Sequence, residues 1–104
     1  MVDLVLPQTL TPAASKGKAA FDATCAACHG SNGAGQDGVA PPLVHKIYEP
    51  SHHGDYAFEM AVQLGVRAHH WRFGDMPPQP GVSPTEIQDI IAYIRELQRA
   101  NGIF

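Results

Sequence analysis

Residues 23–35 read ATCAACHGSNGAG, and they hold both cysteines of this 104-residue chain. Cys25 and Cys28 are separated by two alanines, and His29 follows directly. Two cysteines this close are typical of four kinds of site: a disulfide, half of a zinc site, a redox dithiol and a covalent haem attachment. The rest of the sequence has to favour one of them.

The composition predicts one globular domain. Hydrophobic residues make up 44% and charged residues 16% of the chain, which argues against disorder. The formal net charge of −3 excludes a typical nucleic-acid binder. No apolar run approaches the roughly 20 residues of a membrane span. We therefore expect a single domain over residues 1–104, with residues 1–10 as an N-terminal extension.

Two helices are predicted near the ends of the chain. Thr11 followed by Pro12 is a typical helix start, and the alanine-rich segment after it predicts a helix that runs into Cys25. Residues 83–86, Ser-Pro-Thr-Glu, form a capping box. Charged residues such as Arg95 lie mostly off the apolar stripe that follows. That stripe consists of Ile87, Ile90, Ile91, Ile94 and Leu97.

The middle of the chain predicts one more helix and two long loops. Gly54 and Asp55 can begin a helix with one apolar face, which carries Phe58, Ala61, Val62 and Gly65. Segments 30–50 and 66–82 are rich in Gly and Pro and show no alternating pattern, so we expect few or no strands. Loops this long need something to pack against, and a buried cofactor would supply it.

Three of the four cysteine chemistries fit this sequence poorly. A structural zinc site needs four N or S ligands, and the other histidines offer no H-x3–5-H pair. A thioredoxin-like dithiol belongs to a βαβ context, and no strand pattern is present. A disulfide between Cys25 and Cys28 would close too short a loop to stabilise much, and it leaves His29 unexplained.

Haem attachment explains all three residues of the motif together. In C-x-x-C-H the two thiols bond the haem, and the histidine becomes an axial ligand of its iron. A second axial ligand is then needed, and we predict Met76. It lies in a loop stiffened by prolines, whereas Met1 is terminal and Met60 falls inside a predicted helix as core filler.

The chain resembles the small monohaem class I c-type cytochromes of bacteria, over about residues 11–97. Four motifs carry the resemblance: Gly17-x3-Phe21-x3-Cys25-x2-Cys28-His29-Gly30, then Ala40-Pro41-Pro42-Leu43, Met76-Pro77-Pro78 and Tyr93-Ile94-x-x-Leu97. The resemblance implies an all-α cytochrome c fold, in which the N- and C-terminal helices cross and loops wrap a covalently bound haem. The expected core is Phe21, Leu43, Phe58, Val62, Ile90, Ile91, Tyr93, Ile94 and Leu97.

The resemblance also implies roles for single residues. Gly17 and Phe21 would meet Tyr93 and Leu97 where the terminal helices cross. Pro41 would offer its carbonyl to His29, and Leu43 would lie in the haem pocket. Segment 66–75 departs from better-known members: Trp71 and Arg72 there are candidates to bind the haem propionates or to face a docking partner, and His69 and His70 are rivals of Met76 as the sixth ligand.

The expected function is one-electron transfer rather than enzymatic catalysis. Covalent haem attachment takes place outside the bacterial cytoplasm, as the resemblance implies, so we expect a periplasmic protein whose signal peptide has been removed. Its partners would be redox proteins met in transient complexes: a periplasmic dehydrogenase as donor, and an oxidase or another cytochrome as acceptor. The alternatives are a haem-based ligand sensor or peroxidase-like enzyme with a labile sixth ligand, and a zinc- or disulfide-stabilised interaction domain.

Overall fold

A computed structural model of the chain describes residues 2–67 and 74–104. Within them the chain forms four α-helices, which are α1 (Pro12–Thr24), α2 (Ala26–His29), α3 (Asp55–Leu64) and α4 (Pro84–Ala100), and two 3-10 turns at Ser31–Gly33 and Lys46–Tyr48. The described residues contain no strand, only two isolated bridges. None of their helices is long and apolar enough to cross a membrane. The prediction of an all-α fold is confirmed.

Helices α1 and α4 cross at Gly17, which is buried. A Cβ at this position would overlap the backbone carbonyl of Asp89, so only glycine permits the approach. One turn further along both helices, the rings of Phe21 and Tyr93 pack with their centroids 5.6 Å apart. The expected contact of Phe21 with Tyr93 is therefore present, and the backbone nearest to a Cβ at Gly17 is that of Asp89 and Ile90, one turn before Tyr93.

The predicted helix starts are present. The Thr11 hydroxyl accepts a hydrogen bond from the Ala14 N–H at 3.3 Å. In α4 the Ser83 hydroxyl accepts from the Glu86 N–H at 3.2 Å, and the Glu86 carboxylate accepts from the Ser83 N–H at 3.0 Å. The backbone hydrogen bond to Ser83, followed by the side-chain one, lowers the pKa of Glu86. The carboxylate thus stabilises the fold above its unfolded pKa, and that contribution is lost as the pH falls through the lowered value.

We expect Ser83→Ala to lower the free energy of unfolding by about 1 kcal/mol, because the substitution removes one half of the capping box. Denaturant unfolding of the holoprotein at pH 7 measures the loss. Thr85→Ala is the matched control, since it removes an exposed hydroxyl two residues later in the same turn. An equal loss in both variants would contradict a capping role for Ser83.

The core forms where the sequence predicts it, and two polar residues of α4 are buried with it. All nine expected core residues are buried except Phe58, which is partly buried and packs against the others. Arg95 and Gln98 are also buried, at 6% and 0% exposure. The placement of Arg95 off the buried face was therefore wrong. Its guanidinium can be buried because it donates to four acceptors on neighbouring groups, as described below.

Residues 2–10 form no helix or strand and contact the helical body through hydrogen bonds. The Val2 N–H donates to the Ala34 carbonyl at 3.1 Å. The Asn101 side chain at the end of α4 accepts from the Val5 N–H and donates to the Val5 carbonyl, each at 2.8 Å. This pairing holds the first residues of the chain against the C-terminal end of α4.

Candidate functional site

A cavity of about 440 Å³ lies between the helices and the loops. This volume is typical of a site for an organic ligand or cofactor. Its walls are mostly apolar and come from α1, α3, α4 and the segments between them. The lining residues are Phe21, Cys25, His29, Pro41, Leu43, Tyr48, His53, Ala57, Phe58, Met60, Ala61, Val62, Leu64, Gly65, Val66, Arg67, Gly74, Met76, Ile87, Ile90, Ile91 and Ile94.

The two cysteines lie beside this cavity and are not joined to each other. Cys25 lies between α1 and α2 and lines the cavity, while Cys28 is exposed and lines a smaller cavity of about 100 Å³ that Cys25 also borders. Burial, with a smaller contribution from Cys28, raises the pKa of Cys25 to about 11. A redox dithiol needs the opposite shift, because its attacking cysteine reacts as a thiolate. The redox-dithiol alternative is therefore disfavoured.

His29 ends α2 and is 8% exposed. Its Nδ1 lies 2.9 Å from the carbonyl oxygen of Pro41, which is the hydrogen bond predicted from the sequence. Because a carbonyl only accepts, Nδ1 carries the proton and donates, and Nε2 of the neutral ring keeps its lone pair. Burial lowers the pKa of His29, against a smaller opposing effect of the Pro41 hydrogen bond. A neutral, oriented imidazole of this kind is the form that binds a metal.

The glycine-rich stretch after the motif brings Pro41 back to His29. Gly30 ends α2 with φ of 78°, and Gly35 turns the chain again with φ of 86°. A Cβ on Gly35 would lie 2.7 Å from the Pro42 nitrogen, so the two segments touch through their backbones. The Gly35 N–H also donates to the His29 carbonyl at 2.6 Å. This stretch therefore brings the Pro41 carbonyl to His29, which gives the glycine-rich sequence after the cysteines a structural role.

Met76 borders both cavities, as His29 does. Its backbone is paired with Val66 through two hydrogen bonds of 2.8 and 2.9 Å, and Pro77 and Pro78 follow it. The loop thus holds the Met76 backbone in place. Met60 is also in the wall of the larger cavity, although the sequence assigned it to core filling. In the described residues, two methionines therefore face this site, and Met76 is the one with a fixed loop backbone.

Tyr48 and His53 are wall residues that the sequence analysis missed. They belong to a loop with no periodic pattern. Their carbonyls accept hydrogen bonds from Arg95 on α4, which lies 42 or more positions later in the chain. No local signal indicates such contacts. Trp71 and Arg72, and the rival ligands His69 and His70, lie outside the described residues.

The described part of the chain contains no set of zinc ligands, which disfavours the zinc alternative. There, no three His, Cys, Asp or Glu side chains are grouped as a metal ion would require. Cys25 and His29 instead line the mostly apolar cavity of about 440 Å³, and Cys28 lines the smaller cavity that both of them also border.

A family model described as Cytochrome c matches residues 14–98. The chain belongs to the cytochrome c family. The match runs from α1 to α4 and includes the cysteine motif, Pro41 and Met76. A search among curated proteins found no matching relative. Cytochromes c carry covalently attached haem c with its iron and transfer electrons through it, so the predicted fold and cofactor are confirmed.

The residues of this cytochrome fit that cofactor. The larger cavity is mostly apolar, and the free thiol of Cys25 lines it, while the free thiol of Cys28 lines the smaller cavity. His29 borders both cavities and has a nitrogen lone pair available at Nε2. Bound haem c supplies an iron that gains and loses single electrons. The Pro41 carbonyl orients the His29 ring, and the mostly apolar walls of the cavity would face the macrocycle.

Proposed function

We propose that this cytochrome is a one-electron carrier whose haem is held by Cys25 and Cys28 and whose iron is ligated by His29 and Met76. Each of these two thiols would add its S–H across one vinyl C=C of the haem, so that a thioether would form and no atom would be lost. The observation that carries the proposal is the Nδ1–Pro41 hydrogen bond, which leaves His29 Nε2 for the iron in a cavity that Met76 also borders.

Electron exchange is proposed to occur at the edge marked by the smaller cavity. Cys28 is exposed there, and Val39 beside it is an exposed apolar residue, 44% accessible to solvent. A short apolar edge of this kind supports small, transient contacts. We place the carrier in a bacterial periplasm, with a dehydrogenase as donor and an oxidase or another cytochrome as acceptor.

The test is the visible spectrum of the protein produced together with haem-attachment machinery. We expect sharp low-spin bands when the protein is reduced, and a methionine-to-iron charge-transfer band when it is oxidised. A low-spin spectrum that lacks the charge-transfer band would indicate that the sixth ligand is a histidine such as His69 or His70. A high-spin spectrum with carbon monoxide binding at neutral pH would favour a sensor or a peroxidase-like enzyme. A protein without haem would contradict the proposal.

We expect Met76→Leu to abolish the charge-transfer band and to lower the reduction potential, because thioether ligation favours the ferrous form. The variant should also bind carbon monoxide, since leucine fills the space without ligating. Met60→Leu is the matched control, as it removes a second methionine from the same cavity wall. Loss of the band in Met60→Leu, with retention in Met76→Leu, would assign the sixth ligand to Met60 instead.

A further inference from the structure

Arg95 places a buried positive charge directly behind the cavity wall. Its side chain is 7% exposed, and its guanidinium carbon lies 4.8 Å from the centroid of the Phe58 ring. Phe58 itself lines the cavity. A guanidinium over an aromatic face is a favourable cation–π contact. The charge is therefore in contact with a residue that also borders the haem site.

The guanidinium ties the loop that forms this wall to α4. Nη1 donates to the Tyr48 carbonyl at 2.6 Å and to the Gln98 side chain at 2.7 Å. Nη2 donates to the His53 carbonyl at 2.5 Å, and Nε donates to the Asp55 carboxylate at 2.9 Å. Tyr48 and His53 both line the cavity. One side chain thus fixes two wall residues and the first residue of α3.

The two ends of the ion pair are solvated very differently. The Asp55 side chain is 63% exposed, whereas that of Arg95 is 7% exposed. Water screens the exposed carboxylate, while the buried guanidinium is screened far less. Its remaining partners are neutral carbonyl oxygens. The pair therefore presents a net positive field toward the cavity.

We propose that Arg95 is a positioning residue for the haem pocket and that its buried charge raises the reduction potential of the iron. This inference rests on the proposed function as an electron carrier. Oxidation adds one positive charge at the iron, and a nearby cation in a poorly solvated region disfavours that added charge. Arg95 therefore favours the ferrous state, besides holding the wall in place.

The test compares the midpoint potentials of holoprotein variants at pH 7 and one fixed, low ionic strength. Arg95→Met removes the buried charge and should decrease the ratio of reduced to oxidised protein at least threefold at a fixed applied potential. A threefold change corresponds to a fall of about 28 mV in the midpoint potential, at 59 mV per tenfold. Asp55→Asn removes the opposing charge and should shift the potential upward. Arg99→Met removes an exposed charge from the next turn of α4 and should leave the potential unchanged.

Opposite shifts separate an electrostatic role from a purely structural one. If the ion pair only held the fold together, breaking either end would shift the potential in the same direction or leave it unchanged, and that result would overturn the proposal. Arg95→Lys keeps the charge but loses the forked hydrogen bonds. It should therefore unfold at a lower temperature while its potential stays near that of the unmodified protein.

Two further outcomes are decisive. If Arg95→Met does not fold around its haem, Asp55→Asn is the deciding variant. A lower or unchanged midpoint potential in Asp55→Asn contradicts the proposal. If the unmodified protein lacks a low-spin haem spectrum, the proposed function fails and this inference fails with it. A normal spectrum with unshifted potentials overturns only the role of Arg95.

Discussion

The double variant Cys25→Ala/Cys28→Ala is expected to carry no covalent haem and to lose most of its native helical packing. Without the haem, the mostly apolar walls of the cavity of about 440 Å³ would lose their packing partner and face water. A small domain has a total stability of only about 5–15 kcal/mol, so it tolerates little loss of this kind. Folding of this chain and haem attachment should therefore fail together.

The measurement combines haem staining after denaturing electrophoresis with far- and near-UV circular dichroism. The single variant Cys28→Ala is the control, because Cys25 can still form one thioether and the pocket stays filled. It should retain the stain and its helical signal. A double variant that keeps a cooperative unfolding transition without haem would show that the helices pack stably around an empty cavity, contrary to this expectation.

The ends of the helices could be predicted because each depends on residues that are close in sequence. Thr11 and Ser83 cap the helices that follow them, as their spacing indicates. Gly54 begins α3 as predicted, whereas Gly65, which was expected on the apolar face of this helix, caps its end instead, because its φ of 78° is not helical. The same locality explains why the cysteine motif could by itself indicate a haem attachment site, since Cys25, Cys28 and His29 lie within five residues. Only the Pro41 contact is more distant, and the resemblance supplied it.

Contacts between distant segments could not be predicted in the same way. Arg95 looks like a solvent-facing charge on a helical wheel, and its burial depends on carbonyls of a loop that lies more than 40 residues earlier. Likewise, the pattern indicates that Gly17 lies at a helix crossing but not which residue it meets. The register of that crossing is set by the packing of Phe21 against Tyr93, which is a tertiary property.

Replacement of Gly17 by alanine should lower the stability of the protein, although helix propensity alone predicts an increase. In an exposed helix, Gly→Ala stabilises by about 1 kcal/mol. Here the new methyl group would overlap the Asp89 carbonyl, and backbone atoms on both sides cannot rotate out of its way. Overpacking of this kind costs about 3 kcal/mol or more. For a domain of this size, the melting temperature of the holoprotein should fall by roughly 12–24 °C.

Gly81→Ala is the matched control, because no atom lies within 4 Å of the added Cβ. Its melting temperature should stay close to that of the unmodified protein. Phe21 and Ile90 lie at the crossing and also line the cavity, so Gly17→Ala should broaden the haem absorption bands, while Gly81→Ala should not. An unchanged or higher melting temperature in Gly17→Ala would mean that α1 and α4 do not pack through this glycine. The closeness of the two helices, which shapes one wall of the haem site, would then need another cause.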